Sequence, residues 1–306
     1  MKAVKIFVKT IGAINGVVNT AVLTGILLLI TFSVYALWDS NQIYQAADKS
    51  NYAIYKPTVL NEGKSFKELQ ALNAEVIAWL SVYGTNIDYP VTQGPDNMKY
   101  VNTNAEGLYS LSGSIFLDNG NSVDFSDFNS ILYGHHMEKK TMFGEIGDFS
   151  DKDTFDSRRY GNLYFDEKDH GIEFFAFLHT NAYDGSVFRP NAGDGARREY
   201  LDNLLAKAAH TRDIGITDRD RIVLLSTCSS DSTNGRDILV GRLSDETFDD
   251  SVSKAGADEP PENPDGQDRV VQEIPLTTPF IILNLIALII LWILSVLQKQ
   301  KRTQGV

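Results

Sequence analysis

Two long apolar stretches frame the chain and predict membrane-spanning helices. No charged residue lies between Lys9 and Asp39, an interval that contains the run AVLTGILLLITFSVYALW. A helix of roughly 20 apolar residues crosses a bilayer, so this stretch is long enough to span one with some tilt. The alternative is a cleaved signal peptide, but the stretch is too long for one and no small-residue cleavage site follows cleanly. The second stretch, Ile274 to Gln298, has no polar face, which is rare in a buried core helix.

Basic residues at both ends orient these two spans. Lysines precede the first stretch, and KQKR follows the second. Because Lys and Arg are enriched on the cytoplasmic side of membrane spans, we expect both termini in the cytoplasm and the segment between the spans outside the membrane. The predicted divisions are a cytoplasmic start (1–9), a first span (10–38), an N-terminal extension or linker (39–64), a folded domain (65–244), an acidic linker (245–273), a second span (274–298) and a cytoplasmic tail (299–306).

Between the spans, the pattern predicts one helix followed mostly by strands. Ser65 and Glu68 have the spacing of a capping box, and apolar residues then recur at helical spacing, which predicts an amphipathic helix from Phe66 to about Leu80. A second helix is predicted from Ala196 to Ala209, and a short one near Met142 to Phe149. Six short runs rich in β-forming residues predict a mostly β barrel or sandwich. These runs are NIDYPV, GSIFLD, SILYG, IEFFAFL, RIVLLST and DILVGRL.

The distribution of charge excludes one class of partner. All 40 acidic residues but only 22 of the 28 basic ones lie between Asp39 and Glu273, so this segment is more acidic than the net charge of −12 suggests. Binding a phosphate backbone requires clustered Lys and Arg, so no nucleic-acid partner is expected. Residues 245–273 hold ten acidic residues and three prolines and predict a solvated linker. As a coil, this linker spans on the order of 30 Å, so the folded domain stays near the membrane.

The only cysteine is a candidate nucleophile. Cys228 ends the strand-like run RIVLLSTC, and a polar turn leads from it to Arg236 at the start of the next run. A hairpin would place Arg236 beside the strand of Cys228, where its guanidinium could hold the oxygen of a substrate carbonyl as negative charge develops. The alternatives are a small buried cysteine and a charge at a strand edge. A single cysteine also excludes internal disulfides and thiolate-rich metal sites.

An adjacent pair of histidines supplies a candidate acid–base group. His135 and His136 follow a β-rich run within ILYGHHMEKKTMFGEI. Such a pair also suggests a metal site, but no third ligand stands at suitable spacing, and neighbours in a strand face opposite sides. A cysteine with a histidine far away in sequence is typical of a thiol nucleophile with its acid–base partner.

These motifs, in this order, resemble those of the sortases, membrane-anchored cysteine transpeptidases of Gram-positive bacteria, and most closely class B. The similarity extends from about Phe66 to Leu243 and rests on AEVIAWLSVYGTNIDYPVTQGPDN, GSIFLD, ILYGHHM with TMFGEI, and LLSTC followed by GRDILVGRL. It implies a mostly β fold, an eight-stranded sortase β-barrel with a few peripheral helices and a helical N-terminal extension. The residues that match the family's catalytic histidine, nucleophile and oxyanion-stabilising arginine are His135, Cys228 and Arg236. His136 is then a structural neighbour, and the positions that match the substrate groove are Asn97, Tyr133, Ser226 and Thr227.

The resemblance also implies an activity and its partners. Sortases cleave a C-terminal sorting signal, here expected at a Thr–Gly or Thr–Asn type bond, and transfer the acyl group to an amine. The donors would be surface proteins or pilins that carry sorting signals, and the acceptor a cell-wall precursor or a pilin lysine. No cofactor is needed by this chemistry, and the enzyme would work at the membrane surface.

Three other interpretations remain open on sequence alone. A C-terminal span is unusual for class B and is known in class C pilin polymerases, so pilin polymerisation is the main alternative, although no Asp-Pro aromatic lid motif of class C precedes the barrel. A papain-like peptidase is disfavoured because its usual order of Cys before His is reversed here. A membrane-tethered assembly module with a buried Cys228 would have no enzymatic activity.

Overall fold

The structure is a computed structural model that describes residues 2–57, 64–228 and 234–250, with the backbone alone for residues 64 and 228. The chain divides into two compact units, one of residues 1–42 and 262–306 and one of residues 43–261. The predicted second span, the cytoplasmic tail and most of the predicted acidic linker lie outside the described residues.

The described part of the first unit is a single helix. Helix α1 (Lys2–Ala46) contains the whole predicted span 10–38, and its side chains are mostly exposed. Within it, the hydroxyls of Thr20 and Thr24 donate to backbone carbonyls one turn earlier. Among the described residues, this is the one helix long and apolar enough to cross a membrane.

The second unit is a closed β-barrel. Its strands, in chain order, are β1 (Val76–Val82), β2 (Asp88–Thr92), β3 (Ile115–Leu117), β4 (Asn129–Tyr133), β5 (Tyr160–Phe165), β6 (Lys168–Asn181), β7 (Ala208–Thr211), β8 (Arg221–Cys228) and β9 (Gly235–Ser244). Neighbours follow the order β5-β1-β2-β3-β4-β8-β9-β6, and β6 pairs back with β5 to close the ring. The predicted eight-stranded barrel is therefore confirmed, and β7 is a ninth strand added to the long β6.

Alternate residues of the central strands enter two separate hydrophobic clusters. Leu225 of β8 and Leu239 of β9 belong to the cluster that fills the barrel. Their neighbours Leu224 and Ile238 belong to a second cluster outside it, against helix α4 (Arg197–Lys207). Because side chains alternate between the faces of a strand, β4, β8 and β9 have a definite inner and outer face at every position.

The predicted helix from Phe66 to Leu80 is wrong in its second half. Helix α2 runs only from Lys64 to Leu72, and β1 begins at Val76. Strand β1 is buried on both faces, so its apolar residues do not alternate with polar ones and their spacing also fits a helix. The predicted capping role of Ser65 is also wrong, because the helix already includes Lys64, and the Ser65 hydroxyl instead donates to the carbonyl of Lys56, 3.2 Å away.

The remaining helix predictions are met in part. The predicted helix from Ala196 to Ala209 is confirmed as α4, although its last residues begin β7 instead. Near Met142 to Phe149 there is only a short 3-10 helix (Ile146–Ser150). It leads into the short helix α3 (Lys152–Ser157), which the sequence analysis did not predict.

Contacts at both ends of the barrel domain extend its packing beyond the sheet. After α1, a 3-10 helix (Lys49–Tyr55) leads towards α2, and the carbonyl of Ala47 accepts a hydrogen bond from the buried hydroxyl of Tyr89. After β9, the ring of Phe248 stacks on Tyr160, with centroids 4.3 Å apart.

Candidate active site

Three motif-bearing segments meet at one end of the barrel. Strands β4 and β8 run parallel, with Tyr133 beside Ser226. Strands β8 and β9 run antiparallel, and their register places Cys228 opposite Arg236, as the predicted hairpin requires. Pairing of β4 with β8 continues one residue further, where the amide of Gly134 donates to the carbonyl of Ser226. His135 therefore leaves the sheet next to the strand that ends at Cys228.

The loop that carries His135 folds back tightly on itself. The carbonyl of His135 accepts the amide of Phe143, and His136 pairs with Met142. Phe143 is fully buried. A side chain at Gly144 would overlap the carbonyl oxygen of Met137, so only glycine fits there. These contacts fix the position of His135 from both ends of its loop.

Three residues of this loop have left-handed backbone conformations without being glycine. Lys139, Lys140 and Met142 have φ values of 59°, 59° and 51°. Non-glycine residues in this region are strained and persist where surrounding contacts hold them, often beside functional sites. Here the packing of the buried side chains of Met142 and Phe143 keeps the loop in this conformation.

The two nitrogens of the His135 imidazole have different surroundings. Its Nε2 lies 2.8 Å from the carbonyl oxygen of Val101, in the connection between β2 and β3. A carbonyl only accepts, so Nε2 carries a proton. Among the described residues, Nδ1 of His135 has no hydrogen-bond partner, which leaves it available for proton exchange.

Arg236 is half-buried and makes few hydrogen bonds to the rest of the described chain. Its one hydrogen bond there goes from a terminal guanidinium nitrogen to the carbonyl of Gly235, 2.8 Å away. A guanidinium has five N–H donors, so most remain unpaired by described groups. Its positive charge also reaches the Tyr133 hydroxyl, where it partly offsets the rise in the pKa of Tyr133.

Tyr133 and Asn97 bind one buried carboxylate. Oδ2 of Asp118 accepts the Tyr133 hydroxyl and the Asn97 side-chain amide, each at 2.9 Å. Burial, and then the charge and hydrogen bond of Asp118, raise the pKa of Tyr133 well above its usual range, so the phenol stays protonated. The Tyr133 ring lies between Phe116 and Phe188, with centroid distances of 5.4 and 6.3 Å.

The two hydroxyl residues before Cys228 face opposite sides of β8. Ser226 follows Leu224 on the outer face and Thr227 follows Leu225 on the inner face, and both are almost completely buried. Neither side-chain oxygen has a hydrogen-bond partner among the described residues. Across from Thr227 lies the buried Asp237, whose carboxylate is 2.5 Å from Nδ1 of His179.

The structure thus brings most of the sequence-derived candidates together at one end of the outer barrel face. Tyr133 lies beside Ser226, Arg236 lies opposite the backbone position of Cys228, and His135 follows the hydrogen bond between Gly134 and Ser226. Asn97 shares Asp118 with Tyr133. The sequence analysis missed Asp118, although an acidic residue that ends the apolar run GSIFLD could have signalled a buried, partnered carboxylate. Within the described ranges, no three His, Cys, Asp or Glu side chains are grouped as metal ligands would be.

Comparison with known proteins gives a consistent result. A family profile described as a sortase domain matches residues 80–244. Sortase B of Listeria monocytogenes serovar 1/2a (strain ATCC BAA-679 / EGD-e) is 32% identical over 182 residues, which cover 58% of this chain and 73% of that protein.

Two solved structures share the fold at higher identity. Sortase B from the type II pilus of Streptococcus pneumoniae is 45% identical, with a TM-score of 0.52, and the match covers 59% of this chain and 99% of that one. A class B sortase of Streptococcus pyogenes involved in pilus biogenesis is 40% identical, with a TM-score of 0.55, and the match covers 60% and 99% of the two chains. The chain belongs to the sortase family of transpeptidases, and within that family to class B.

Proposed function

We propose that this sortase acts through a thioester on Cys228. The thiolate attacks the carbonyl carbon of a Thr–Gly or Thr–Asn type bond in a C-terminal sorting signal, and the C–N bond breaks to leave the acyl group on sulfur. An amine then attacks the thioester, forming a new amide and releasing the thiolate. The observation that carries the proposal is the register of β8 and β9, which sets Cys228 directly opposite Arg236 while β4 delivers His135 alongside.

The proposed roles of His135 and Arg236 follow from their surroundings. With Nε2 occupied by the carbonyl of Val101, Nδ1 of His135 is the nitrogen that gives a proton to the departing amine and takes one from the incoming amine. The largely unpaired guanidinium of Arg236 stabilises the oxyanion of each tetrahedral intermediate. Positions two apart in a strand share a face, so the position of Cys228 belongs to the outer face with Ser226.

The peptide groove is proposed along that outer face. Tyr133 and Ser226 belong to it, and Asn97 reaches it through Asp118. Thr227 has its side chain on the inner face, so its contribution would come from shaping the strand beside the nucleophile.

Two biological outcomes fit this chemistry. We propose that the enzyme anchors surface proteins to a cell-wall precursor, held outside the membrane by two spans with both termini in the cytoplasm and the catalytic domain at 65–244. The second candidate is pilin polymerisation through a lysine amine, favoured by the two pilus-associated sortases that resemble this chain at 45% and 40% identity. Ladders of high-mass pilin on denaturing gels would identify polymerisation, and a single wall-linked species would identify anchoring.

The test uses the full chain in detergent with a panel of peptides containing Thr–Gly and Thr–Asn bonds. Mass spectrometry of the wild-type enzyme should detect an acyl group on Cys228, and an added amine should divert the product from acid to amide. We expect Cys228→Ala and His135→Ala to lose turnover, whereas His136→Ala, the matched neighbour, retains it. Amide product formed by the Cys228→Ala enzyme would reject the thioester mechanism.

A further inference from the structure

Asp118 contacts two of the proposed groove residues, Asn97 and Tyr133, and is not one of the three proposed catalytic residues. It follows β3, is almost fully buried, and uses both carboxylate oxygens. Oδ1 accepts the backbone amide of Gly120 at 2.8 Å, and Oδ2 accepts both Tyr133 and Asn97. An ionised carboxylate only accepts hydrogen bonds, so it dictates which atom of each partner must point towards it.

The orientation of the Asn97 amide is set at both ends. Its Nδ2 donates to Asp118, and its Oδ1 accepts the backbone amide of Asn119 at 2.8 Å. A flipped amide would set two acceptors against each other at Asp118 and two donors at Asn119, so one orientation is allowed. One hydrogen of Nδ2 remains, and the half-buried Asn97 can offer it to a bound molecule as a donor.

Tyr133, in contrast to Asn97, is left as a hydrogen-bond acceptor. Its single hydroxyl hydrogen is donated to Asp118, so the phenolic oxygen has only lone pairs left to offer. Since both side chains contact the same Oδ2 atom, the spare donor of Asn97 and the spare acceptor of Tyr133 lie close together.

We infer that Asp118 is a positioning residue that gives the groove one donor (Asn97) and one acceptor (Tyr133), matched to the backbone of one residue of an extended substrate peptide. Within an extended chain, the C=O and N–H of one residue lie along the same edge, which is how a strand bonds to its neighbour. The C=O accepts from Asn97 Nδ2, and the N–H donates to Tyr133 Oη. This inference rests on the proposed peptide substrate, and it makes part of the recognition depend on backbone rather than side-chain identity.

Asp118→Asn should invert this arrangement without removing volume. The amide of Gly120 still requires an acceptor, so the new Oδ1 stays on that side and Nδ2 replaces the oxygen between Tyr133 and Asn97. The Tyr133 oxygen then accepts from this Nδ2, and its own hydrogen turns outward as a donor. Asn97 Nδ2 would then face a second donor and lose its hydrogen bond to residue 118, and the groove would lose its acceptor for the substrate N–H.

The experiment is a backbone ester scan with the full chain in detergent. Using a peptide that the wild-type enzyme cleaves, each amide upstream of the scissile bond is replaced by an ester, which exchanges an N–H donor for an oxygen. We expect one position to lower kcat/KM about tenfold in the wild-type enzyme, the effect of losing one hydrogen bond to a buried site. Asp118→Asn should lower kcat/KM for the all-amide peptide by about tenfold, mainly through KM, and abolish the ester penalty at that position.

Two further variants complete the test. Tyr133→Phe lacks the acceptor and should also lose the position-specific penalty, which keeps the inference testable if Asp118→Asn does not fold. Asp127→Asn is the matched control, because Asp127 is another buried carboxylate that accepts from Asn121 and Ser122 and has no hydrogen bond to Tyr133 or Asn97 among the described residues, so its ester profile should equal the wild-type profile.

The inference is overturned if the wild-type enzyme shows no position-specific ester penalty. It is also overturned if Asp118→Asn or Tyr133→Phe keeps that penalty, or if Asp127→Asn loses it. Failure of the thioester mechanism would look different, because turnover would then survive Cys228→Ala whatever the ester profile.

Discussion

At the scale of single residues, the side chain of Arg236 combines partial burial with a guanidinium that described groups leave mostly unpaired. Such a guanidinium can stabilise the negative charge that develops on the substrate oxygen in the transition state. Because this charge is absent from the bound substrate, the interaction lowers the activation free energy more than it strengthens substrate binding. Its value to the enzyme should therefore appear in kcat more than in KM.

Replacing Arg236 tests this directly. We expect Arg236→Ala to lower kcat by about 100- to 1,000-fold with a small change in KM, as for the loss of an oxyanion donor. Arg236→Lys should recover little, because an ammonium lacks the planar fork of a guanidinium. Arg198→Ala is the control, since Arg198 is exposed on α4 and pairs only with Asp202 among the described residues. Steady-state peptide kinetics measure all three, and a KM effect without a kcat effect would contradict the proposed role of Arg236.

Asp88 shows how a single carboxylate joins the extension to the barrel. Its oxygens accept from the side chains of Lys56, Trp79 and Ser81 at 2.7 to 2.8 Å. Burial by itself would raise the pKa of this carboxyl, but the charge of Lys56 and these hydrogen bonds outweigh it and hold the pKa below its usual value. A lowered pKa in the folded state means that the ionised form stabilises the fold.

The stability that Asp88 provides should disappear in acid. It is fully present above the usual carboxyl pKa of about 3.9 and is lost as pH falls through the lower folded value. We expect Asp88→Asn to reduce the free energy of unfolding by about 1–3 kcal/mol at pH 7. The difference between variant and wild type should shrink below about pH 4 in thermal unfolding followed by circular dichroism. A difference that stayed constant down to pH 2 would exclude ionisation as its cause.

At the scale of elements, one tyrosine hydroxyl joins three separate segments. Tyr89 of β2 donates to the carbonyl of Ala47 after α1 and accepts the backbone amide of Met142 in the His135 loop. Burial raises the pKa of Tyr89 to about 12, so the hydroxyl keeps its proton across the working range. The end of α1 is thus connected to the loop that positions His135.

Tyr89→Phe should destabilise the domain by about 1–3 kcal/mol, because it leaves a buried carbonyl and a buried amide without their shared partner. The melting temperature should fall by several degrees. Tyr109→Phe is the matched control, since that tyrosine is 78% exposed, and it should melt like the wild type. Equal melting temperatures for both variants would show that the Tyr89 hydroxyl contributes nothing.

The strands that the sequence patterns predicted well are short apolar runs bounded by Gly, Asn, Asp or Ser, which is the pattern of a buried strand between turns. All six β-rich runs from NIDYPV to DILVGRL are strands in the structure. Strand β1 was taken for helix because its apolar residues Val76, Trp79 and Leu80 continue the helical spacing of α2. The β5–β6 hairpin was missed because its turn residues, Asp166 and Glu167, adopt positive φ without the Asn or Gly that normally indicates such a turn.

At the scale of the whole molecule, membrane attachment determines where the chemistry takes place. Helix α1 leads within a few residues into the barrel domain, so this domain is tethered close to any membrane that α1 spans. The proposed donor, a sorting signal with its own apolar tail, and the proposed lipid-linked acceptor would be confined to the same surface. Shared confinement raises their effective concentration without any new contact.

A fragment of residues 39–273, which lacks both predicted spans, should therefore distinguish peptide cleavage from protein attachment in cells. We expect it to cleave a sorting-signal peptide in solution at about the rate of the full chain, because the proposed active site lies within it. In cells, at matched expression, it should attach far less surface protein, which fractionation of the cell wall can measure. Undiminished attachment by the fragment would show that membrane tethering is dispensable.

The sequence by itself determined the class of protein and most of its strands. The Gly-His, Thr-Cys and downstream Arg motifs, with the apolar stretch before them, indicated a membrane-anchored sortase through their resemblance to that family, and local hydropathy and turn signals indicated the strands. Tertiary structure alone decided what joins distant segments: the closure of β6 on β5, the pairing of His135 with Val101, and the shared contact of Asn97 and Tyr133 with Asp118. Such contacts depend on which faces meet after the barrel closes, and no local pattern records that.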